Sequence, residues 1–240
     1  MGDGVGNYVD VFTRSSTRRA MIITLFSAGI VTILALAAGS VLAWHLCTVR
    51  SRLAKALIWI AVLAPFWMGT VVKNYVVILI LGREGPANDT LAAVGLPRVD
   101  MIYTTQAVIS GMTYTMIPFA VFSLFGVLRG IDQTLPLAAQ SMGASRLVAL
   151  RTTVLPIAAP GVLASGGLVF AISVGFYITP VLLGGGQTPF MATVISSNIF
   201  GYYNYGFAAA ASVVLLLVAL LVLAFAFLAV GRERLLRAVA

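Results

Sequence analysis

Few residues of this chain could do covalent or metal chemistry on a substrate. The sequence has one cysteine, Cys47, and one histidine, His45, which excludes an internal disulfide and a cysteine-rich metal site. Asp132 is the only carboxylate between residues 101 and 232. The three glycines at 184–186 are not followed by Lys and Ser or Thr, so they do not form a P-loop. These observations predict a protein that is not an enzyme and carries no metal or cofactor of its own.

The most structured polar segment, residues 135–160, separates two hydrophobic stretches. Asp132 and Thr134 offer side-chain oxygens that can cap a helix, and Pro136 suits its first turn. An apolar face then recurs at helical spacing, formed by Leu135, Ala138, Ala139 and Met142. Gly143 ends this helix, because glycine readily takes the left-handed conformation of a helix exit.

The rest of that segment predicts a second short helical run. It carries Arg146 and Arg151, and Pro156 and Pro160 open the next hydrophobic stretch. Two short helices joined at a glycine, with small residues on the exposed ridge and arginines beside it, favour docking into the groove of a partner. The alternative is an ordinary loop that packs against its own helices.

Lys73 is the only unambiguous charge deep within a hydrophobic stretch. A lysine inside a membrane costs ~2.5–3.5 kcal/mol on insertion scales and usually faces a bundle interior or a water path. Two interpretations follow. Either Lys73 lies in a translocation path, or the membrane segment ends near residue 72 and the side chain reaches the outer interface.

Aromatic side chains could line the path of a cation, because their faces attract ammonium groups by ~0.5–2 kcal/mol. The candidates that would share such a path with Lys73 are Phe66, Trp67, Tyr75, Tyr114, Phe176 and Tyr177. For any single one of them, packing or an interfacial belt is the favoured interpretation. The belt interpretation fits Tyr202, Tyr203 and Tyr205 better still.

The composition is that of an integral membrane protein. Hydrophobic residues make up 60% of the 240 residues and charged residues 9%, whereas soluble domains carry about 25% charged residues. In a soluble chain a net charge of +8 would suggest nucleic acid as a partner. Here the basic residues flank hydrophobic stretches, so we expect a lipid membrane and no nucleic acid as partner.

Five hydrophobic stretches have about the ~20 residues that cross a bilayer. They lie near 20–46, 55–82, 104–128, 157–183 and 206–230. Residues 1–19 form a polar N-terminal segment that lacks the apolar core of a signal peptide, and residues 231–240 form a tail. No repeat or long linker divides the chain. We therefore expect a single all-α domain over 1–240, a bundle of transmembrane helices within 20–230.

Positive charges predict the orientation of the bundle. Basic residues without balancing acids lie in the first loop, the third loop and the tail, namely Arg50, Arg52 and Lys55, then Arg129, Arg146 and Arg151, then Arg232, Arg234 and Arg237. The second loop balances its arginines with acids, and the fourth has no charge. The segment 135–160 is therefore predicted to face the cytoplasm.

That segment resembles the cytoplasmic "EAA" loop of type I ATP-binding-cassette (ABC) importer permeases. The family pattern has an Ala-Ala pair, three residues, a glycine, and about a dozen residues before Leu-Pro. Ala138-Ala139, Gly143 and Leu155-Pro156 hold this spacing.

The resemblance implies a coupling helix that seats in a cleft of an ATPase subunit. Its residues here would be Leu137, Ala138, Ala139, Gly143, Ala144, Ser145, Leu155 and Pro156. Leu137 replaces the leading glutamate of the family, and Thr153 replaces the usual aliphatic residue before Leu-Pro. A polar contact made by that glutamate is therefore not expected in this chain.

Further motifs resemble the polyamine-type branch of the family. They are Leu81-Gly82-Arg83-Glu84-Gly85 with Asn88, Pro65-Phe66-Trp67 with Lys73-Asn74-Tyr75, Tyr114 with Pro118-Phe119, and Phe176-Tyr177-Ile178-Thr179-Pro180 with 182–186. The resemblance covers nearly the whole chain from Asn7.

The resemblance implies a multi-pass permease of the inner membrane, paired with a second homologous permease. ATPase subunits would hold the ATP and Mg²⁺, and an extracytoplasmic binding protein would deliver the solute. A polyamine or similar amine is the expected solute, and an opine, phosphonate or sulfate-type solute is the alternative. A secondary transporter or a scaffold is the rival class, but a coupled carrier would be expected to have intramembrane carboxylates, which these stretches lack.

The predicted topology contains one conflict. Five alternating spans with a cytoplasmic tail put the N-terminus outside, whereas Arg14, Arg18 and Arg19 favour the inside. Permeases of this family usually have six spans, and the segment from Asn7 resembles the loop after their first span. Either one N-terminal span is absent here, or the chain is a variant with five.

Overall fold

The computed structural model of the chain describes residues 4–132 and 134–239, apart from the side chains of 146, 147 and 229–239. Its regular elements are helices: α1 Gly4–Thr13, α2 Ser15–Thr48, α3 Arg52–Trp67, α4 Thr70–Leu81, α5 Pro86–Ala93, α6 Thr105–Arg129, α7 Thr134–Ser141, α8 Arg146–Ala149, a π-helix Leu150–Val154, α9 Leu155–Val174, α10 Ile178–Gly184, α11 Met191–Phe200 and α12 Tyr205–Val239. The all-α prediction is confirmed.

Residue contacts group the chain into two units. One unit comprises Met1–Val31, Thr70–Met112 and Ala171–Ala240, and the other comprises Thr32–Gly69 and Thr113–Phe170. We call them the split unit and the central unit. The assignment of a single domain stays a prediction.

Four helices among the described residues are long and apolar enough to cross a membrane, namely Ser15–Thr48, Thr105–Arg129, Leu150–Val174 and Tyr205–Leu228. A fifth crossing is possible through the pair Arg52–Trp67 and Thr70–Ala93, which is bent by 112°. The predicted number of spans is therefore reached only if this bent pair is counted as one.

Two predicted spans are wrong in detail, because each is broken. The stretch 55–82 is interrupted at Met68 and Gly69, where Met68 takes an extended conformation (φ −70°, ψ 138°). The stretch 157–183 is interrupted after Val174 and resumes as α10. Hydrophobicity continues across both breaks, so composition alone cannot reveal them. In a membrane such irregular backbone is tolerated where it is buried in protein or lines a water-filled cavity.

The N-terminal segment is folded rather than a simple polar lead-in. α1 packs against α12, and α2 begins already at Ser15. Arg14 donates a 2.6 Å hydrogen bond to Asp10 and stacks over the ring of Phe207 on α12, 4.6 Å from its centroid. The predicted tail at 231–240 is likewise not separate, because α12 continues through it to Val239.

In the central unit, small residues let the helices approach closely, as is typical of membrane proteins. A Cβ on Gly39 of α2 would lie 2.7 Å from Ala120 Cβ of α6. A Cβ on Gly161 of α9 would overlap both methyl groups of Val127 of α6. The hydroxyls of Ser123 and Ser165 share a 2.6 Å hydrogen bond between the same two helices, α6 and α9.

The split unit contains two short helices that hydropathy did not predict, α5 and α11. Asn88 on α5 is fully buried, and it donates to the carbonyls of Gly82 (2.9 Å) and Val99 (3.1 Å) and accepts from the Val99 N–H (2.8 Å). The motif of Leu81–Gly85 with Asn88 is thus explained by folding: its asparagine ties the segment after α4 to the segment before α6. α11 is joined to α2 by the Thr24 hydroxyl, which accepts the Met191 N–H at 2.9 Å.

Candidate coupling segment and translocation path

The predicted coupling segment is a short exposed helix. α7 spans Thr134–Ser141, and none of its residues is buried. Asp132 precedes it and accepts a 2.9 Å hydrogen bond from the Thr134 N–H. The backbone N–H and then the hydroxyl of Thr134 lower the pKa of Asp132 by bonding to its charged carboxylate. Asp132 therefore remains ionised at neutral pH, where it holds the start of α7.

The predicted ridge of α7 is open to solvent. Leu137 is 62% exposed, Leu135 41% and Met142, just after the helix, 84%. Ala138 is also exposed, and Ala139 is half-buried. On proteins in water, a group of exposed apolar side chains such as this one usually marks a surface that binds a partner. The ridge is thus available to a partner, as its sequence predicts.

A left-handed glycine ends the ridge. Gly143 has φ +93° and open space around its Cα, and the Ala144 N–H bonds to the Ala139 carbonyl at 3.1 Å. Here a larger side chain would strain the backbone without meeting any neighbour. Ser145 follows and accepts from the Val148 N–H at 3.3 Å, which starts α8. The predicted exit at Gly143 is confirmed.

The second short helical run is not a separate helix. α8, the π-helix and α9 form one continuous helix from Arg146 to Val174, and the Leu155 N–H bonds to the Leu150 carbonyl five residues back. Pro156 therefore lies within this helix instead of opening it. The wider π turn accommodates a proline, whose missing N–H and bulky ring disturb an α-helical ladder. The turn at Gly143 is thus joined rigidly to α9.

Lys73 is buried, with 6% of its surface exposed. It lies in the first turn of α4, directly after the break at Gly69. Burial by other residues does not fix the depth of Lys73 in a membrane, so both interpretations of this lysine stay predictions. No carboxylate within 4 Å pairs with Lys73 in the part of the chain that the structure describes.

The aromatic candidates are divided between the two units. Phe66 and Trp67 belong to an aromatic cluster in the central unit. The ring of Phe66 packs edge-on against Phe119 and Phe122, with ring centroids 5.5 and 5.3 Å apart. Tyr114, also in the central unit, is half-buried. Tyr75, Phe176 and Tyr177 lie in the split unit, where Tyr75 is 57% and Tyr177 44% exposed. Their role in a path stays a prediction.

The chain is similar in sequence to known permeases. It is 28% identical over 192 residues to the spermidine/putrescine transport system permease protein PotB of Escherichia coli, an alignment that covers 79% of this chain and 70% of PotB. It is 29% identical over 215 residues to the inner membrane ABC transporter permease protein YdcU of the same organism, covering 84% of this chain and 68% of YdcU. No protein-family model matches the chain.

The fold is that of a solved importer. The crystal structure of a bacterial ABC transporter that imports the acidic polysaccharide alginate aligns with 96% of this chain and 84% of its own, with a TM-score of 0.77 at 22% identity. The chain is an inner-membrane permease, similar in sequence to permeases of ABC transporters and in fold to a solved importer. It is a multi-pass protein of the inner membrane and a transport subunit, not an enzyme.

Sequence reasoning missed the most unusual polar group of the permease. Asn74 of α4 is 1% exposed and Thr179 of α10 is fully buried. Asn74 Oδ1 and Thr179 Oγ1 have no hydrogen-bond partner among the described residues. Both side chains flank Gly111 of α6: a Cβ at that glycine would lie 3.4 Å from Asn74 Oδ1 and 3.1 Å from Thr179 Cγ2. Both residues lie within the motifs named above, but only the packing shows that both flank Gly111.

Proposed function

We propose that the permease carries a polyamine or a similar small amine across the inner membrane, and that α7 with its glycine turn is the contact for a separate ATPase. ATP and Mg²⁺ would be held by that ATPase. An extracytoplasmic binding protein would deliver the solute, and a second permease would complete the path. The similarity to PotB supports the amine, since PotB is named for spermidine and putrescine.

The observation that carries the coupling role is the continuity between the exposed ridge and a buried helix. α7 buries none of its residues, whereas the helix that follows the Gly143 turn runs unbroken to Val174. Displacement of the ridge by ATP-driven closure of a partner would move α9 with it, because a packed helix responds as a rigid element. An ordinary loop packed on its own bundle would not leave this ridge uncovered.

A matched pair of glycines tests this role. Gly143 (φ +93°) and Gly95 (φ +81°) both have positive φ, and at both a Cβ would meet no other atom within 4 Å. Gly143→Asp and Gly95→Asp therefore impose similar backbone strain, about 1–2 kcal/mol, at two different places. We expect Gly143→Asp to uncouple solute uptake from ATP hydrolysis in proteoliposomes while Gly95→Asp stays coupled. Normal coupling in both variants would refute the assignment.

Co-purification gives an independent test. We expect the ATPase to remain bound to the wild-type permease in detergent and to be lost after deletion of residues 135–147. An ATPase that binds both forms equally would show that the contact lies elsewhere in the permease.

The second candidate is an anionic solute such as sulfate, a phosphonate or an opine. The observation that favours it is Lys73, a buried positive charge without a carboxylate partner among the described residues. An ammonium cargo would be repelled by this charge and an anion attracted. Uptake of labelled spermidine against labelled sulfate by the complete importer distinguishes the two candidates.

A further inference from the structure

The junction of α4, α6 and α10 contains two polar atoms that the fold leaves without partners. Asn74 uses its amide nitrogen, which donates to the Thr70 carbonyl at 2.9 Å, so only its Oδ1 is unpaired. Thr179 Oγ1 is unpaired as well. Buried polar atoms in native proteins are nearly always hydrogen-bonded, and each exception needs an explanation. In the membrane, water is not freely available to replace the missing partner.

The helices that carry these atoms each begin after an interruption of a hydrophobic stretch, and α4 is one arm of the bent pair. α4 follows the break at Gly69 and α10 follows the break after Val174, and the two short helices pack against each other. Gly111 allows this close approach, because a side chain there would overlap Leu183 of α10. In secondary transporters, interrupted membrane helices commonly form the binding sites of transported solutes. The junction thus has the backbone architecture of a solute site as well as unpaired polar atoms.

The unpaired atoms define which chemistry would satisfy them. An amide oxygen can only accept a hydrogen bond, and a hydroxyl can accept one while donating another. Asn74 Oδ1 therefore requires a ligand with an N–H or O–H donor, and Thr179 Oγ1 can accept a second one. A primary ammonium group carries three donors and no acceptor, whereas sulfate has no donor to offer.

We propose that Asn74 Oδ1 and Thr179 Oγ1 form a solute contact of the permease, closed in this structure, that accepts hydrogen bonds from an ammonium group of the transported amine. This inference rests on the proposed function and names the two acceptors. Opening of α4 away from α10 during the transport cycle exposes them to the cargo.

Lys73 gives this contact a repulsive neighbour. It precedes Asn74 in α4 and is buried in the same unit. A site on a translocation path must bind its cargo weakly enough to release it. The positive charge on the same helix would limit how long an ammonium group stays bound to Asn74.

The test uses the complete importer in proteoliposomes and measures labelled spermidine and putrescine taken up per ATP hydrolysed. Thr179→Val and Asn74→Leu remove one acceptor each at nearly unchanged volume, and we expect uptake per ATP to fall about tenfold in each, since a hydrogen bond to a charged group is lost. Asn74→Asp keeps an acceptor and should retain uptake. Ser27→Ala is the matched control, because Ser27 Oγ is also buried and unpaired but lies on α2.

Stability separates the proposal from a purely structural role. Replacing an unpaired buried hydroxyl by an apolar group relieves its desolvation. Thr179→Val and Ser27→Ala should therefore unfold at the same or a higher temperature than wild type, while only Thr179→Val loses uptake.

Three results would count against the proposal. If both Thr179→Val and Asn74→Leu take up amine at the wild-type level, the proposed solute contact is refuted but the amine function is not. The same holds if Ser27→Ala loses as much uptake as they do. A wild-type importer that takes up labelled sulfate and no amine overturns the amine function and, with it, this contact. Coupled amine uptake that falls in both junction variants and not in the control supports it.

Discussion

Lys73→Met is the substitution with the largest expected effect on the stability of the permease. Lys73 is 6% exposed and has no carboxylate partner within 4 Å among the described residues. A lysine in a membrane segment costs ~2.5–3.5 kcal/mol on insertion scales, and methionine keeps a similar linear shape without the charge. We expect the free energy of unfolding to rise by up to about this amount. Using the soluble-protein relation for a chain of this length, each 1 kcal/mol raises Tm by roughly 2–4 °C.

The assay compares thermal unfolding of the purified permease in detergent for wild type, Lys73→Met and Lys55→Met. Lys55 is the only other lysine of the chain and is half-buried in the first turn of α3. Its replacement should change Tm by little. An amine-reactive reagent gives a second measurement, because it should modify Lys55 readily and leave Lys73 protected. A lower Tm in Lys73→Met would refute the reasoning, since it would show that the lysine charge is compensated in the fold.

The same variant reports on the sign of the cargo. Like charges repel each other, so the charge of Lys73 disfavours an amine cargo that passes close to it. Removing Lys73 should therefore raise the uptake of labelled spermidine at limiting concentration. A fall in spermidine uptake, or a loss of sulfate uptake instead, would show that the charge attracts an anionic solute.

Three further substitutions test the packing and hydrogen bonding of the two units, each by thermal unfolding in detergent. Thr24→Val leaves the buried N–H of Met191 without its acceptor and should cost about 1–3 kcal/mol, whereas the exposed Ser40→Ala should cost little; equal stability of the two variants would contradict this. Asn88→Ala removes three hydrogen bonds and should lower the free energy of unfolding by roughly 2–3 kcal/mol. The amide of Val99 should also exchange its hydrogen faster, and unchanged exchange would show that Asn88 does not hold this segment in place. Gly161→Ala drives a methyl group into α6 and should lower the free energy of unfolding by about 1–3 kcal/mol. Gly126→Ala, whose Cβ would meet no atom within 4 Å, should leave it unchanged. Equal stability of the two variants would mean that α6 and α9 separate easily.

The sequence predicts those elements of the fold that depend on local pattern. Continuous hydrophobic stretches predict α2, α6 and α12, and the glycine exit at Gly143 follows from backbone sterics. The breaks at Gly69 and after Val174 could not be predicted in this way. Their flanking residues are as apolar as the rest of each stretch, and glycine is also tolerated inside unbroken membrane helices.

In the candidate site, too, features set by local pattern could be predicted from the sequence and features set by long-range contacts could not. Exposure of α7 follows from its polar flanks and small residues, so an exposed helix could be predicted here from the sequence. The depth of Lys73 depends on where α4 begins, which is set by the break and not by composition. The meeting of Asn74 with Thr179 depends on a long-range contact at Gly111, and a single sequence holds no pattern for such contacts.

The π-helix at Leu150–Val154 gives the helix between Arg146 and Val174 one place where its length can change. A π turn holds about one residue more than an α turn. Loss of one residue within Leu150–Val154 would therefore restore ordinary α geometry and leave the turn at Gly143 on nearly the same side of α9. Elsewhere in this helix each residue turns the chain by ~100°, so loss of one residue would point the ridge of α7 in a different direction.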